Sequence, residues 1–245
     1  MIALWLLACT DTGTVDTDSG TDSGPPATVA LTGVVFQFGT RDPLADAAVT
    51  VAEDPELATS SDAEGRWTLE VPAGATVTLH LSVPDHVQAH GETWQADADL
   101  DRLYLQAIPD ALYGAIEAGL NDVGVFSDPA ACQIVTTATV PEVQDLADFA
   151  AFQDYHPYGL AGATASLDGE ALGPIYLDVG TVPDATLTST TVDGGVMWLN
   201  AVAGQVYTLT GQHPSGHGFR SPRVTCEAGR FINANPPHGL GTTAP

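Results

Sequence analysis

Side chains able to hold a metal or move a proton are plentiful in this chain, with 31 carboxylates and 7 histidines, but few fall at a spacing that chemistry uses. His86 and His90 lie four residues apart, and so do His213 and His217. That spacing brings two imidazoles together when the segment is helical. Pro84 and Gly91 flank the first pair, and Pro214, Gly216 and Gly218 surround the second, so both pairs are expected in loops. The sequence contains no Cys-x-x-Cys, no His-Glu-x-x-His and no Gly-x-Ser-x-Gly. Asp11, Asp16, Asp18 and Asp22 offer oxygens suited to Ca²⁺, but no Gly-then-Glu continuation of a calcium loop follows. Trp94, Tyr104, Tyr176 and Trp198 could together form a stacking platform for a glycan. Trp198 is out of phase with Met197 and Leu199 and is expected to face outward. With Phe149, Phe152 and Tyr155 it makes the candidate binding surface. No catalytic residue, cofactor site or metal site is expected.

Charge narrows the partners. The chain has 245 residues, with 31 acidic side chains against 6 basic ones, all arginine, for a formal net charge of −25. Phosphate backbones and anionic headgroups would repel it, so nucleic acid is not an expected partner. Contact with a membrane would need a covalent lipid. Three cysteines occur, at positions 9, 132 and 226. If Cys9 is modified, Cys132 and Cys226 remain as an even pair that an oxidising compartment can join. Cys132 opens one predicted strand, and Cys226 ends Arg223-Val-Thr-Cys226, read as the last strand.

Most ordered segments read as strands. The runs 29–36, 48–52, 67–71, 76–82, 132–140, 196–199 and 206–210 are short, β-branched or alternating, and bounded by turn residues. The pattern repeats. Leu44-Ala-Asp-Ala47-Ala-Val49-Thr-Val51 matches Leu160-Ala-Gly-Ala163-Thr-Ala165-Ser-Leu167. The stretch from Asp62 through Gly65, Trp67, Leu69 and Val71 to Gly74 matches Asp193 through Gly195, Met197, Leu199 and Ala201 to Gly204. In this alignment each glycine pair is nine residues apart. Met197 and Leu199 are therefore expected on the core face, like Trp67 and Leu69.

The first copy is similar to carboxypeptidase regulatory-like domains. The residues that carry the likeness are Gly33-Val-Val, Pro43 to Val51, Thr59 to Leu69 and Val71-Pro-Ala-Gly74. The resemblance implies a transthyretin-like (prealbumin-like) β-sandwich of about seven strands with no particular activity. Intradiol dioxygenases use a related sandwich with two Tyr and two His on iron. Tyr155, Tyr158, His213 and His217 could supply such a set, but the family's His-x-His pair is missing. The N-terminus resembles a bacterial lipoprotein. Met1 to Ala8 is apolar and ends Leu6-Leu7-Ala8-Cys9, as in a signal peptide and lipobox, and a Thr/Asp/Ser/Gly stretch follows. Thr10, rather than Asp, follows Cys9, which by enterobacterial sorting rules implies the outer membrane.

Two segments fall outside the repeat. Residues 108–121 place Leu112, Ile116 and Leu120 four apart, as in a short helix joining two domains. Residues 141–154 read as a second helix, inserted in the second copy only; it is expected first as a lid over an open end of the sandwich, and otherwise as the seat of any specialised function. The expected organisation is an all-β protein of two tandem sandwiches. Residues 1–9 form the signal and lipobox, 10–28 an acidic tether, 29–106 the first sandwich and 107–130 a helical connector. The second sandwich spans 131–240, with its insert at 141–158. The expected function is non-enzymatic: a lipid-anchored envelope protein with a structural, adhesive or partner-binding role toward a protein or glycan. A carbohydrate-binding module is the alternative, and a metal-dependent oxygenase the third reading. The first sandwich, lacking cysteine, is expected to unfold independently of redox state.

Overall fold

The computed structural model describes residues 27–122 and 124–243. The signal, the lipidation candidate Cys9 and nearly all of the tether lie outside the described residues. The chain is all-β with two helices. The first seven strands are β1 (Thr28–Gln37), β2 (Ala48–Val51), β3 (Ala58–Ser60), β4 (Arg66–Pro72), β5 (Ala75–Ser82), β6 (Ala89–Ala96) and β7 (Leu100–Ala107). Helix α1 (Asp110–Asp122) and strand β8 (Cys132–Thr139) come next. The insert follows, as a 3-10 turn at Pro141–Asp145 and helix α2 (Phe149–Asp154). The remaining strands are β9 (Thr164–Leu167), β10 (Leu172–Leu177), β11 (Pro183–Asp184), β12 (Gly195–Ala201), β13 (Val206–Gln212), β14 (Gly218–Phe219), β15 (Arg223–Thr225), β16 (Phe231–Ala234) and β17 (Leu240–Thr243).

Alternation builds two separate cores. In β4, Trp67, Leu69 and Val71 point inward while Arg66, Thr68 and Glu70 face water. They pack with Leu31, Val49, Leu79 and Leu103 between a β4-β1-β7 sheet and a β3-β2-β5-β6 sheet. The second core gathers Ile134, Trp198, Tyr207, Leu209 and Ile232. One side is the run β11-β10-β12-β8-β16 and the other is β15-β13-β9. Strand β6 of the first half touches both sides of the second. It pairs parallel with β16 at Ala89 and His90, and antiparallel with β15 at Thr93.

Several expectations change. The tail after Cys226 carries two further strands, β16 and β17, and both pair parallel with β8. Between the second copy's paired segments the chain adds a further strand, β10, at Leu172–Leu177. His90 sits in strand β6 and is 2% exposed, not in a loop. The single helix expected over 141–154 is broken. Asp148 accepts a hydrogen bond from the Ala151 amide (2.9 Å) and so caps a new helix in the middle of the segment. In α1, Leu120 is buried and Tyr113 stacks edge-on to Phe231, whereas Leu112 faces solvent.

The repeat is real, but its register is shifted by one residue. Gly65 has φ 73° and its amide bonds to the Asp62 carbonyl. The residue doing the same in the second copy is Gly194, with φ 79° and an amide bonded to Thr191. Gly194, not Gly195, thus corresponds to Gly65. Counting from it puts Val196 and Trp198 in the core, and Met197 and Leu199 on the opposite face. Trp198 is therefore not an exposed platform: it is 2% exposed inside the second core. The sheet restores phase at a bulge between Trp198 and Ala201, where Asn200 has φ 59°. A pair of buried hydroxyls confirms the alignment. Ser61 Oγ accepts from Ala47 N–H and donates to the Leu44 carbonyl; Thr190 Oγ1 does the same with Ala163 and Leu160.

Candidate functional site

The insert does not form an open surface. It lies across the outer face of the first sheet, where Val143 and Phe152 pack on Val34, Phe36 and Tyr104. Phe149 and Tyr155 are half-buried in the same cluster. Phe36, Tyr104, Phe149 and Phe152 make edge and tilted ring contacts at centroid distances of 5.1 to 6.2 Å. Of the proposed binding surface, Phe149, Phe152 and Tyr155 come together, but as a cover for the neighbouring sandwich, and Trp198 is elsewhere. Burial and the nearby carboxylates raise the Tyr104 hydroxyl to about 12, against the opposing pull of Arg102.

Two arginines of the first half fasten this cover. Arg41, at φ 61°, donates from Nη1 to the carbonyls of Phe152 (2.8 Å) and Gln153 (3.1 Å) at the end of α2. Its guanidinium also lies 4.9 Å from the Phe152 ring centre and 4.6 Å from that of Tyr158. Gln153 returns a bond to the Arg41 carbonyl. Arg102, at φ 53°, donates to the carbonyls of Gln144 (2.8 Å) and Leu146 (3.2 Å) where the 3-10 turn ends. Both charges thus sit at the negative ends of short helical segments.

Two arginines of the second half reach back to β6. Arg220 lies 3.3 Å from the buried Glu92 carboxylate and 4.9 Å from the Trp94 ring centre. Glu92 also accepts from the Gly239 amide, and its burial raises its carboxyl above the usual range although Arg220 pulls the other way. Arg230 donates to Gln88 and pairs with Glu227 at 3.4 Å. Four of the six arginines in the chain therefore join the two halves. Of the others, Arg66 pairs with Asp62 and Glu64 on its own turn, and Arg223 is exposed.

Between the halves lies a cleft of roughly 900 Å³, including open solvent at its mouth, walled by Phe36, Ile108, Leu177, Met197, Leu199 and Phe231. Helix α1 closes one side through Ile116 and Leu120. The acids at the cleft have structural partners. Glu117 accepts from Ser127 Oγ at 2.6 Å, tying the connector to α1. Asp193 accepts from Thr181 Oγ1 (2.8 Å) and Gly195 N–H (3.0 Å), and burial lifts its carboxyl above the usual range. No histidine lines this cleft. The wall of the cleft is mainly apolar, which suits an apolar group.

The remaining candidates separate. Both ring nitrogens of His213 are engaged, by the Ala161 carbonyl (3.0 Å) and Ser215 Oγ (2.5 Å). Tyr155 and Tyr158 belong to the aromatic cover, so the four-residue iron set does not assemble. Among the described residues no group of three or more metal-ligating side chains converges. Tyr104 and Tyr176 are buried, and Trp94 lies under Arg220 and His238, so no aromatic platform forms. Cys132 and Cys226 form a disulfide with Cα atoms 5.7 Å apart. Nothing in the sequence marks the four arginines that join the halves except the scarcity of cations.

No family model matches the chain, and no curated protein matches it. Solved structures give faint likenesses. A type II cohesin–X-dockerin complex of Acetivibrio cellulolyticus is 14% identical over 33% of this chain, with a TM-score of 0.29. The chain spans 58% of that protein's length. The Bacillus anthracis TIE protein is 9% identical over 88% of this chain and 34% of its own, with a TM-score of 0.28. The shaft pilin SpaA of Lactobacillus rhamnosus GG is 12% identical over 89% of this chain and all of its own, with a TM-score of 0.26. Likenesses this weak carry no argument about function. The all-β class rests on the strands themselves.

Proposed function

We propose that this is a non-enzymatic, lipid-anchored protein of the cell envelope whose folded part acts as one structural or partner-binding body. In this reading residues 29–106 and 131–240 are two transthyretin-like sandwiches of carboxypeptidase regulatory-like type. The connector and the insert clasp them together. The observation that carries the reading is this packing: the insert of the second half covers the first sheet, the connector helix covers the outer face of β12, and each half donates two arginines to the other. Chemistry that depends on a mobile site gains nothing from such a clasp, whereas load bearing and the display of a surface do. The Cys132–Cys226 bridge fits an oxidising compartment outside the cytoplasm. The burial of Tyr104, Tyr176 and Trp198 removes the basis for glycan stacking and favours a protein partner. Anchorage is assigned to Cys9, which precedes a polar acidic stretch suited to a tether. Detergent-phase partitioning of the protein expressed in a bacterial envelope tests this. The wild type is expected in the detergent phase and Cys9→Ser in the aqueous phase. Detergent partitioning by the variant would refute the anchor.

A further inference from the structure

The seam between β6 and the second half is short in main-chain pairing. Only Ala89, His90 and Thr93 of β6 find register partners there, on Phe231, Ile232 and Arg223. Side chains must hold the rest, and three of them are histidines. His90 packs edge-on to His80, its partner on β5, at a centroid distance of 5.3 Å. His90 Nε2 lies 3.3 Å from Glu227 across the seam, and Arg230 acts on both rings. Three nitrogens of this cluster are buried without a hydrogen-bond partner: His80 Nε2, His90 Nδ1 and Arg230 Nε. His238 of the second half packs edge-on to Trp94 at 4.9 Å, with its Nε2 3.1 Å from the Asp101 carbonyl. Arg220 and Arg102 face it, together with the Asp101 carboxylate.

We propose that this seam is an acid-released catch, in which protonation of His80, His90 and His238 sets new cations against Arg230, Arg220 and Arg102 and parts the two sandwiches. Glu227 and the Thr225 main chain beside His90, and the carbonyl and carboxylate of Asp101 beside His238, offset part of the added charge. Of the insert's two pins Arg102 also faces His238, whereas Arg41 has no histidine partner, so the two halves would turn about the Arg41 end rather than fall apart. The electrostatics agree in direction. Burial, reinforced by the facing His80 and Arg230, lowers His90 to about 4, while Glu227 works against it. Burial also lowers His238 to about 4, helped by Arg220 and Arg102 and opposed by Asp101. His80 is lowered too, through burial and Arg230. A histidine held below its free value costs the closed state nothing above about pH 6.5, and it penalises closure increasingly as the pH falls toward about 4. Protonation of His90 therefore shifts the balance toward the open form as the pH falls, by the part of its lowering that the seam itself imposes. Glu92 runs the other way, because burial favours its protonated form in the closed seam. It stands against three histidines.

Small-angle X-ray scattering of the full chain from pH 7.5 to 4.5, with far-ultraviolet circular dichroism alongside, tests the catch. The expected result is a reversible rise in radius of gyration between about pH 6.5 and 4.5 with unchanged strand signal. The triple variant His80→Gln/His90→Gln/His238→Gln should stay closed at pH 4.5. If it does not fold, His238→Gln alone should open at lower pH than the wild type. Imidazole proton resonances of wild-type His90 and His238 should titrate in step with the size change. A size constant down to pH 4.5 would overturn the proposal. So would opening at the same pH in the variants, or loss of strand signal together with opening.

Discussion

At the scale of single residues, the clearest lesson is the one-residue offset between the copies. The repeat, its glycines and its flanking turns were legible because Asp, Gly and small residues mark turns by local chemistry. The face that Trp198 occupies was not. Two glycines stand together at 194 and 195, and choosing the wrong one inverts every side chain that follows. Asn200 then conceals the error by adding a residue at the bulge. It is also a clamp: its side chain accepts from the Asp128 amide (2.7 Å) and donates to the Phe126 carbonyl (2.9 Å), holding the connector. The corrected register makes a test. Gly194 and Gly204 both have positive φ, at 79° and 81°. A side chain at 194 would strike the Ala138 carbonyl and Gly159, whereas 204 opens to empty space. Gly204→Ala should cost about 1 kcal/mol through backbone strain alone. Gly194→Ala should cost roughly 3 kcal/mol or more. Equal losses in urea unfolding would mean that Gly194 is not the turn residue.

At the scale of elements, periodicity showed that residues 108–121 and 141–154 each have an apolar face, but it is silent about what that face meets. An amphipathic stripe reports a need for cover and carries no address. The address came from long-range partners. Met197 and Leu199 on the outer face of β12 take α1, and Val34, Phe36 and Tyr104 on the first sheet take α2. Each helix thus covers a sheet, and the insert covers one from the other half of the molecule. The energy of that cover can be apportioned. Phe152 is 3% exposed, and Phe152→Ala should destabilise by about 3–5 kcal/mol. Arg41→Ala removes the carbonyl contacts and the ring contact together. In a double-mutant cycle the pair should show a coupling of about 1 kcal/mol, the worth of a guanidinium held over a shielded ring. Additive losses would show that Arg41 acts only through the helix-end carbonyls.

At the scale of the whole molecule, composition was informative in a way that only the structure explains. A net charge of −25 with no lysine reads first as solubility, yet four of the six arginines join the two halves. In so acidic a chain a cation is scarce, and scattered surface pairs would add little. Placed on helix ends, aromatic rings and a buried carboxylate, the same cations act with less screening. The seam also changes what the disulfide does. Cys132 and Cys226 are 94 residues apart, so loop closure contributes about 4–5 kcal/mol in the chain-entropy model. The sequence suggested that only the second sandwich would register its loss. With β6 paired to both β15 and β16, and the insert packed on the first sheet, the halves should unfold at neutral pH in one transition. Reduction should then lower that single transition by roughly 10–20 °C for both cores. Calorimetry with and without reductant, at pH 7.5 and again at pH 4.5, separates the contributions. At pH 7.5 one endotherm should move as a unit. At pH 4.5, with the histidine seam released, two should appear, and only the one belonging to the Cys132–Cys226 half should respond to reductant. Two independent endotherms at neutral pH would show that the arginines and the shared strand edge join the sandwiches without coupling their stability.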